Sequence, residues 1–509
     1  MTKQFFQSQH TLFALIATLF VSCSATQQTT QQTPLPRQRE GDSVVVFAKP
    51  SALTSLSVSR YPTIKAKIDS LIPDSLFPPA HLGIKIVSLK TKEVLYELNS
   101  NSLFAPASNQ KLLTSAAALT RLGEKFPLNT ITYIDGATNT IYIKGFGDAV
   151  FRTDDLDSLA KLTQRKLPKG RTWRVVGDVS YWDNEYWGYG WNWDDEPEEY
   201  QMFLTPLILN GNCIKLFAKP GRKVGDPLVV RIEPTTRFVA IDSSGSKTVK
   251  DSVVNKLKFS RRWRDRSNTL TVEGEMLLND REDDYVVSLW QPERYAVQVF
   301  TEMLRRAGVI VYEMGIDTLA PRAIEVARFS HPLDSAVTYL NKISDNLSGE
   351  ALIKILAAEK KSNPGSAEVG ATVVKEFLAE NGIDTTRLRI ADGSGLSRMN
   401  LTSPAIIVRL LETMHRSPQF NAFYYSLPIA SVDGTIARRM FRSSASNNLR
   451  AKTGTLGGVT SLSGYVQSAD GEWLAFSIMM MNYPFEARLY RRVQDNIGIF
   501  LSQLRRENF

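Results

Sequence analysis

The sequence predicts an α+β fold in which one antiparallel five-stranded sheet is assembled from both ends of the chain, with a helical lobe beside it and a large β-rich insertion. Three observations carry this. Two strand-like runs near the start, residues 83–88 and 93–98, are answered by three near the end, 449–454, 459–466 and 473–481. Helical periodicity dominates residues 335–411, and short alternating stretches broken by Gly, Asp and Ser turns dominate 130–321.

Taken in order, the chain opens with Lys3, an apolar run over 11–21, and then Ser22 and Cys23. That run is too short to span a bilayer and has the length of a secretory signal core. Val21-Ser22-Cys23 resembles a bacterial lipobox, with Phe20 where Leu is usual. Residues 1–22 are therefore expected to be a signal peptide and Cys23 a lipidated first mature residue. The alternative is cleavage after another small residue, with Cys23 lost. Residues 23–50, rich in Gln, Thr and Pro over 24–40, are expected to be a disordered tether. The expected location is the periplasmic side of the cell envelope, with a membrane contact through the lipid anchor; Ser24 is compatible with outer-membrane delivery.

Folded structure is expected from Tyr61, where Ile64, Ile68 and Leu71 form a helical stripe. Lys90-Thr91-Lys92 then links the first two strands as a hairpin. Residues 51–129 and 322–509 are expected to form one domain, interrupted by one or two inserted β-rich domains over 130–321. Patterns over 350–361 and 367–380 read as helices of the lobe. The last strand precedes a helix with Leu489, Val493, Ile497, Phe500, Leu501 and Leu504 on one face.

Composition narrows the chemistry. The 509 residues are 43% hydrophobic and 22% charged, which allows substantial cores and excludes disordered or collagen-like chains. Cys23 and Cys213 are the only cysteines, so neither a disulfide scaffold nor a multi-cysteine zinc site can be built, and no metal or other cofactor is expected. Cys213 reads as a buried small residue. The net charge of +9 is dispersed, and no nucleic-acid partner is expected. The densest basic cluster, Arg261, Arg262, Arg264 and Arg266, is expected in a solvated hairpin turn.

Ser-x-x-Lys occurs at Ser108/Lys111, Ser158/Lys161 and Ser244/Lys247. The first stands apart because Ala105-Pro106-Ala107 precede it and a helix rich in Leu and Ala follows. Three residues apart on a helix, the Lys111 amine lies beside the Ser108 hydroxyl. A lysine can take a proton from serine only if its pKa is lowered. Repulsion by a second cation would do this, and Lys452 in Lys452-Thr453-Gly454-Thr455 is placed to supply it. Gly454 would leave room for substrate to approach the strand. Ser344-Asp345-Asn346 could bridge the two lysines, although Ser446-Asn447-Asn448 also fits Ser-x-Asn.

The ordered set Ser-x-x-Lys, Ser-Asp-Asn and Lys-Thr-Gly resembles that of penicillin-binding proteins and β-lactamases. The long interval between Ser108 and Ser344 is similar to that of the class C low-molecular-mass penicillin-binding proteins, the D-alanyl-D-alanine carboxypeptidase/endopeptidase family. Asp392-Gly393-Ser394-Gly395-Leu396-Ser397-Arg398, Val432-Asp433-Gly434-Thr435 and Gly190-Trp191-Asn192-Trp193-Asp194-Asp195 resemble further stretches of it. Gly147-Asp148-Ala149-Val150 departs from the Asp-Pro-Thr often found there.

The resemblance implies a penicillin-binding-protein/β-lactamase-like transpeptidase domain that cleaves peptidoglycan stem peptides and cross-links through an acyl-enzyme. Ser108, Lys111, Ser344 and Lys452 would be catalytic. Asn346, Thr453, Gly454 and Thr455 would bind substrate, and Asp195 and Arg398 would contact the stem peptide. β-Lactam antibiotics would acylate Ser108. Two other readings stay open: a serine β-lactamase, for which Glu275-Met276-Leu277-Leu278-Asn279 offers a Glu-x-x-Leu-Asn pattern in the wrong order, and a non-catalytic peptidoglycan-binding lipoprotein.

Overall fold

The computed structural model describes residues 60–77 and 80–508. The expected signal peptide, the lipidation at Cys23 and the tether over 23–50 lie outside the described residues.

Both ends of the chain do meet in one antiparallel sheet. Its strands are β1 (His81–Ser88), β2 (Val94–Leu98), β15 (Arg450–Leu456), β16 (Val459–Gln467) and β17 (Trp473–Met481), in the order β15-β16-β17-β1-β2. The central strands are buried along almost their whole length, because helices cover both faces. Alternation divides β17 between two cores: Phe476, Ile478 and Met480 enter one, Ala475 and Met479 the other. On the first face lie α1 (Pro62–Ser70) and α10 (Ala487–Gln503), the latter through Tyr490, Val493, Ile497 and Leu501.

The opposite face carries the helical lobe. Its helices are α2 (Gln110–Leu122), α5 (Leu333–Ile343), α6 (Asn346–Lys360), α7 (Ala367–Glu380), α8 (Pro404–His415) and α9 (Phe420–Ser426). Helix α2 is buried from Gln110 to Leu119 and stops at Gly123, whose φ of 88° a side chain would resist. Helix α6 starts where the Asp345 carboxylate accepts the Ser348 amide hydrogen at 2.7 Å.

Between α2 and α5 lies the insertion. Its largest sheet, ordered β13-β5-β4-β3-β14, joins β3 (Pro127–Asp135), β4 (Thr140–Gly145), β5 (Thr172–Asp178), β13 (Ile310–Ile316) and β14 (Ile324–Pro332). The pairing of β3 with β14 closes the insertion; β3 begins before the limit of 130 read from the sequence, and β14 lies wholly beyond the limit of 321. Two helices, α3 (Thr153–Lys166) and α4 (Pro292–Arg306), accompany these strands and make the β4–β5 and β5–β13 pairings parallel crossovers. A smaller sheet holds β6 (Cys213–Lys219), β7 (Val229–Glu233) and β12 (Asp283–Ser288). Another holds β8 (Ala240–Asp242), β9 (Ser246–Val249), β10 (Lys258–Arg261) and β11 (Thr269–Leu277).

Two features correct the sequence reading. Tyr181, Trp182, Met202, Leu204, Ile208 and Cys213 belong to the same core as the helical lobe, so this part of the insertion packs into the lobe. The arginine cluster is also not uniformly solvated. Arg261 is fully buried, pairs with Glu196, and donates to the carbonyls of Ser288 at 2.9 Å and Ser267 at 3.0 Å. Arg262, Arg264 and Arg266 are exposed around the β10–β11 turn. Cys213 is buried, and burial pushes its thiol pKa up.

Candidate active site

Ser108 lies in a single 3-10 turn, Ala107–Asn109, that runs directly into α2. Ala107 holds φ at 47°, a left-handed conformation costly for a residue with a side chain. Strand β15 keeps the turn in place. Asn109 Nδ2 donates to the Lys452 carbonyl at 3.2 Å and to Ser461 Oγ at 2.7 Å, and Ser461 Oγ donates to the Pro106 carbonyl at 2.9 Å. A Cβ at Gly454 would collide with Ser461 Oγ and stand 2.6 Å from the Pro106 carbonyl oxygen. Gly454 therefore makes room for the turn that carries Ser108, in place of the substrate approach expected from the sequence.

Lys111, the second residue of α2 and one turn on from Ser108, is fully buried. Its Nζ lies 2.9 Å from Ser108 Oγ, 2.7 Å from Asn346 Oδ1 and 2.7 Å from the Ser394 carbonyl oxygen. Asn346 Nδ2 donates to the Tyr200 carbonyl at 2.8 Å, which turns its oxygen toward the amine. The chemistry follows from counting hydrogens. A neutral amine has two N–H bonds and one lone pair, and the two carbonyl-type oxygens accept only, so the lone pair is left facing the Ser108 hydroxyl.

Lys452 is also fully buried, and its Nζ donates to Ser344 Oγ at 2.8 Å and to the Thr453 carbonyl at 3.0 Å. Ser344 ends α5 at φ 66°, so the corner between α5 and α6 presents Ser344 to one lysine and Asn346 to the other. Burial pulls the Lys111 pKa from 10.5 down to about 8, against the attraction of Asp392, Asp345 and Glu350. Burial, followed by the charge of Lys111, holds Lys452 well below its ordinary value. Desolvation leads for both amines; repulsion by Lys452 is not the leading cause at Lys111, as the sequence reading supposed.

The remaining candidates surround this centre. Thr453 Oγ1 donates to Thr435 Oγ1 at 2.7 Å, and the loop carrying Thr435 is fastened to α5 by Lys342, whose Nζ reaches Asp433 at 2.6 Å and 2.8 Å. Thr455 is exposed on β15, an edge strand. Arg398 donates to the Gly457 carbonyl at 2.6 Å, just beyond that strand. Asp195 is one step removed: it accepts from Tyr200 Oη at 3.0 Å and Asn192 Nδ2 at 3.2 Å. Thr435, Asn109, Ser461 and Tyr200 were not singled out from the sequence. Thr435 alone had a signal, within the Val432-Asp433-Gly434-Thr435 stretch.

Glu275 lies on β11 of the insertion, where its carboxylate accepts from the Val254 and Asn255 amides at 2.7 Å and 3.2 Å. Among the described residues, no group of three or more His, Cys, Asp or Glu side chains could hold a metal ion.

A sheet sandwiched by helices, with two buried lysines each bonded to a serine at its edge, defines a serine acyl-transfer enzyme of the penicillin-binding class. A profile of the D-Ala-D-Ala carboxypeptidase 3 (S13) family matches residues 64–504, and the chain belongs to that family. It is thus a serine-type D-alanyl-D-alanine carboxypeptidase. A D-alanyl-D-alanine carboxypeptidase of an Actinomadura species is 29% identical over 474 residues, covering 89% of this chain and 87% of the relative. The D-alanyl-D-alanine carboxypeptidase DacB of Haemophilus influenzae is 25% identical, covering 85% and 92%. The crystal structure of penicillin binding protein 4 from Haemophilus influenzae shares the fold with a TM-score of 0.74 at 22% identity, covering 86% of this chain and 99% of that one.

Proposed function

We propose that Ser108 is the nucleophile and Lys111 its base in cleaving D-alanyl peptide bonds of peptidoglycan, at stem-peptide ends and in cross-links. The observation that carries this is the threefold coordination of Lys111 Nζ, which aims the amine's lone pair at Ser108. Lys111 takes the Ser108 proton as Oγ attacks the carbonyl carbon. The amides of Ser108 and Thr455 hold the oxyanion, a large term in such reactions. As the C–N bond breaks, Ser344, linked to Lys452, passes a proton to the leaving amine. Water then hydrolyses the ester and frees Ser108.

Substrate lies along the edge strand β15, with its terminal carboxylate received by Lys452, Thr453 and Thr455, and with Thr435 orienting the Thr453 hydroxyl. Asn346 holds the acyl portion, while Asp195 and Arg398 contact the stem peptide. A β-lactam acylates Ser108 by the same route; the Haemophilus influenzae fold relative has been solved with a β-lactam. Export behind a signal over residues 1–22, with lipid attached at Cys23, puts the enzyme on the periplasmic side of the envelope. The portion from β3 to β14 is an insertion in a domain formed by the segments on either side of it.

The test is incubation with a pentapeptide muropeptide and a cross-linked dimer, followed by mass spectrometry. Wild type should release D-alanine and cleave the dimer, and Lys111→Ala should do neither. A Lys111→Ala protein with wild-type turnover overturns the assignment of the base. For the anchor, Cys23→Ser should move the protein from the membrane to the soluble envelope fraction; unchanged fractionation excludes it.

A further inference from the structure

The proposed mechanism makes no use of Glu350, yet this carboxylate is fully buried immediately behind the site. It stands four residues after Asn346 on α6, and therefore on the same helix face. Its oxygens accept the Gly393 amide hydrogen at 3.1 Å and 3.2 Å and the Ser394 amide hydrogen at 2.9 Å. The carbonyls of the same two residues face α2: Gly393 accepts from Thr114 Oγ1 at 2.7 Å, and Ser394 from Lys111 Nζ at 2.7 Å. A two-residue stretch of backbone is thus clamped from both sides.

The surroundings leave this stretch little freedom. Asp392 accepts the Gly395 and Ser397 amides at 2.7 Å and 2.6 Å, and Asn400 Nδ2 and Trp191 Nε1 at 2.7 Å and 3.0 Å. A Cβ at Gly393 would collide with the Gly349 carbonyl oxygen, and one at Gly395 with the Ala107 carbonyl oxygen. A buried carboxylate is costly unless hydrogen-bonded, and here backbone amides supply those bonds. Burial and then Asp392 push the Glu350 pKa up to about 7, so its charge is largely in place only above neutral pH.

We infer that Glu350 is a positioning residue for the acylation step: by holding the Gly393 and Ser394 amides it turns the Ser394 carbonyl onto Lys111, fixing one amine hydrogen and with it the lone pair. Glu350 acts through Ser394 and touches no reacting atom. The inference rests on the assignment of Ser108 and Lys111 above.

Glu350→Gln keeps the size of the side chain but sets an NH2 group against one backbone N–H. The measurements are the rate constant for acylation by a chromogenic cephalosporin as a function of pH, the reversible binding constant that precedes it, and the melting temperature. Two signatures are expected together. The plateau acylation rate falls about tenfold or more, with initial binding unchanged. The acidic limb moves to lower pH, because losing a nearby negative charge lowers the Lys111 pKa. A merely structural role would lower the melting temperature and weaken initial binding along with the plateau, whereas the limb shift reports the lost charge beside Lys111.

A plateau within twofold of wild type in a normally folded variant overturns the inference, as does a loss due entirely to weaker initial binding. If Glu350→Gln does not fold, Glu350→Asp serves: it keeps the charge but falls one methylene short. Its limb should stay in place while its plateau falls, and a wild-type plateau overturns the inference. Ser108→Ala separates the two claims. An adduct persisting in that variant refutes the nucleophile itself, whereas normal Glu350 variants beside an inert Ser108→Ala refute only the positioning role.

Discussion

Asn346 Oδ1 accepts a hydrogen bond from Lys111 Nζ at 2.7 Å, so the amide expected to grip substrate also orients the amine. Asn346→Asp would put a negative charge against Lys111 and an acceptor against the Tyr200 carbonyl, which now accepts from the amide at 2.8 Å. The charge raises the Lys111 pKa and keeps the amine protonated. Acylation by penicillin should fall about 100-fold or more at pH 7, with the acidic limb displaced to higher pH. A limb that stays in place would refute this reading of Asn346.

In the wild type, the amine must be neutral to accept the Ser108 proton. Burial lowers its pKa from 10.5 to about 8, so the neutral fraction grows as pH rises through that value. Acylation rates, measured by stopped flow from pH 5 to 10, should rise about tenfold per pH unit below 8 and level off above it. A profile flat across pH 6 to 9 would contradict the assigned base.

The Ser108 turn and β15 touch at Gly454. Gly454→Ala should push the turn away from the strand, costing about 1–3 kcal/mol of stability by overpacking. Acylation should fall about 100-fold through misplacement of the nucleophile. Urea unfolding and cephalosporin kinetics measure the two effects. If the variant is as stable and as fast as wild type, the contact does not position Ser108.

Inside the insertion, the Arg261 and Glu196 side chains are 0% and 7% exposed. Arg261→Met would leave Glu196 buried without its partner, a loss of about 3–5 kcal/mol. The double variant Arg261→Met/Glu196→Gln removes both charges and should recover more than half of it. Chemical denaturation of the three proteins decides; equal losses in single and double variants would show that the pairing is not what matters.

How much of this was legible depended on range. The five-strand sheet was readable because strand periodicity is local, and the three motifs were readable because each is a short string. Pairings such as β4 with β5 were not, since α3 sits between them in the chain and the insertion read as strands alone. Arg261 ends β10 and Arg262 follows it, yet only tertiary packing tells that the first is buried and the second exposed. At Gly454 the sequence suggests room for substrate, but it cannot say that the groups packed there are Ser461 Oγ and the Pro106–Ala107 turn. Glu350 gave no signal, because its partners are backbone amides more than forty residues away.

The central claim is that Ser108 Oγ forms the acyl bond, and intact-protein mass spectrometry after incubation with benzylpenicillin tests it most directly. Wild type should gain the mass of one penicilloyl group on the peptide containing Ser108, and Ser108→Ala should gain none. An adduct of equal stoichiometry on Ser108→Ala, or an adduct mapped to another serine in the wild type, would contradict it.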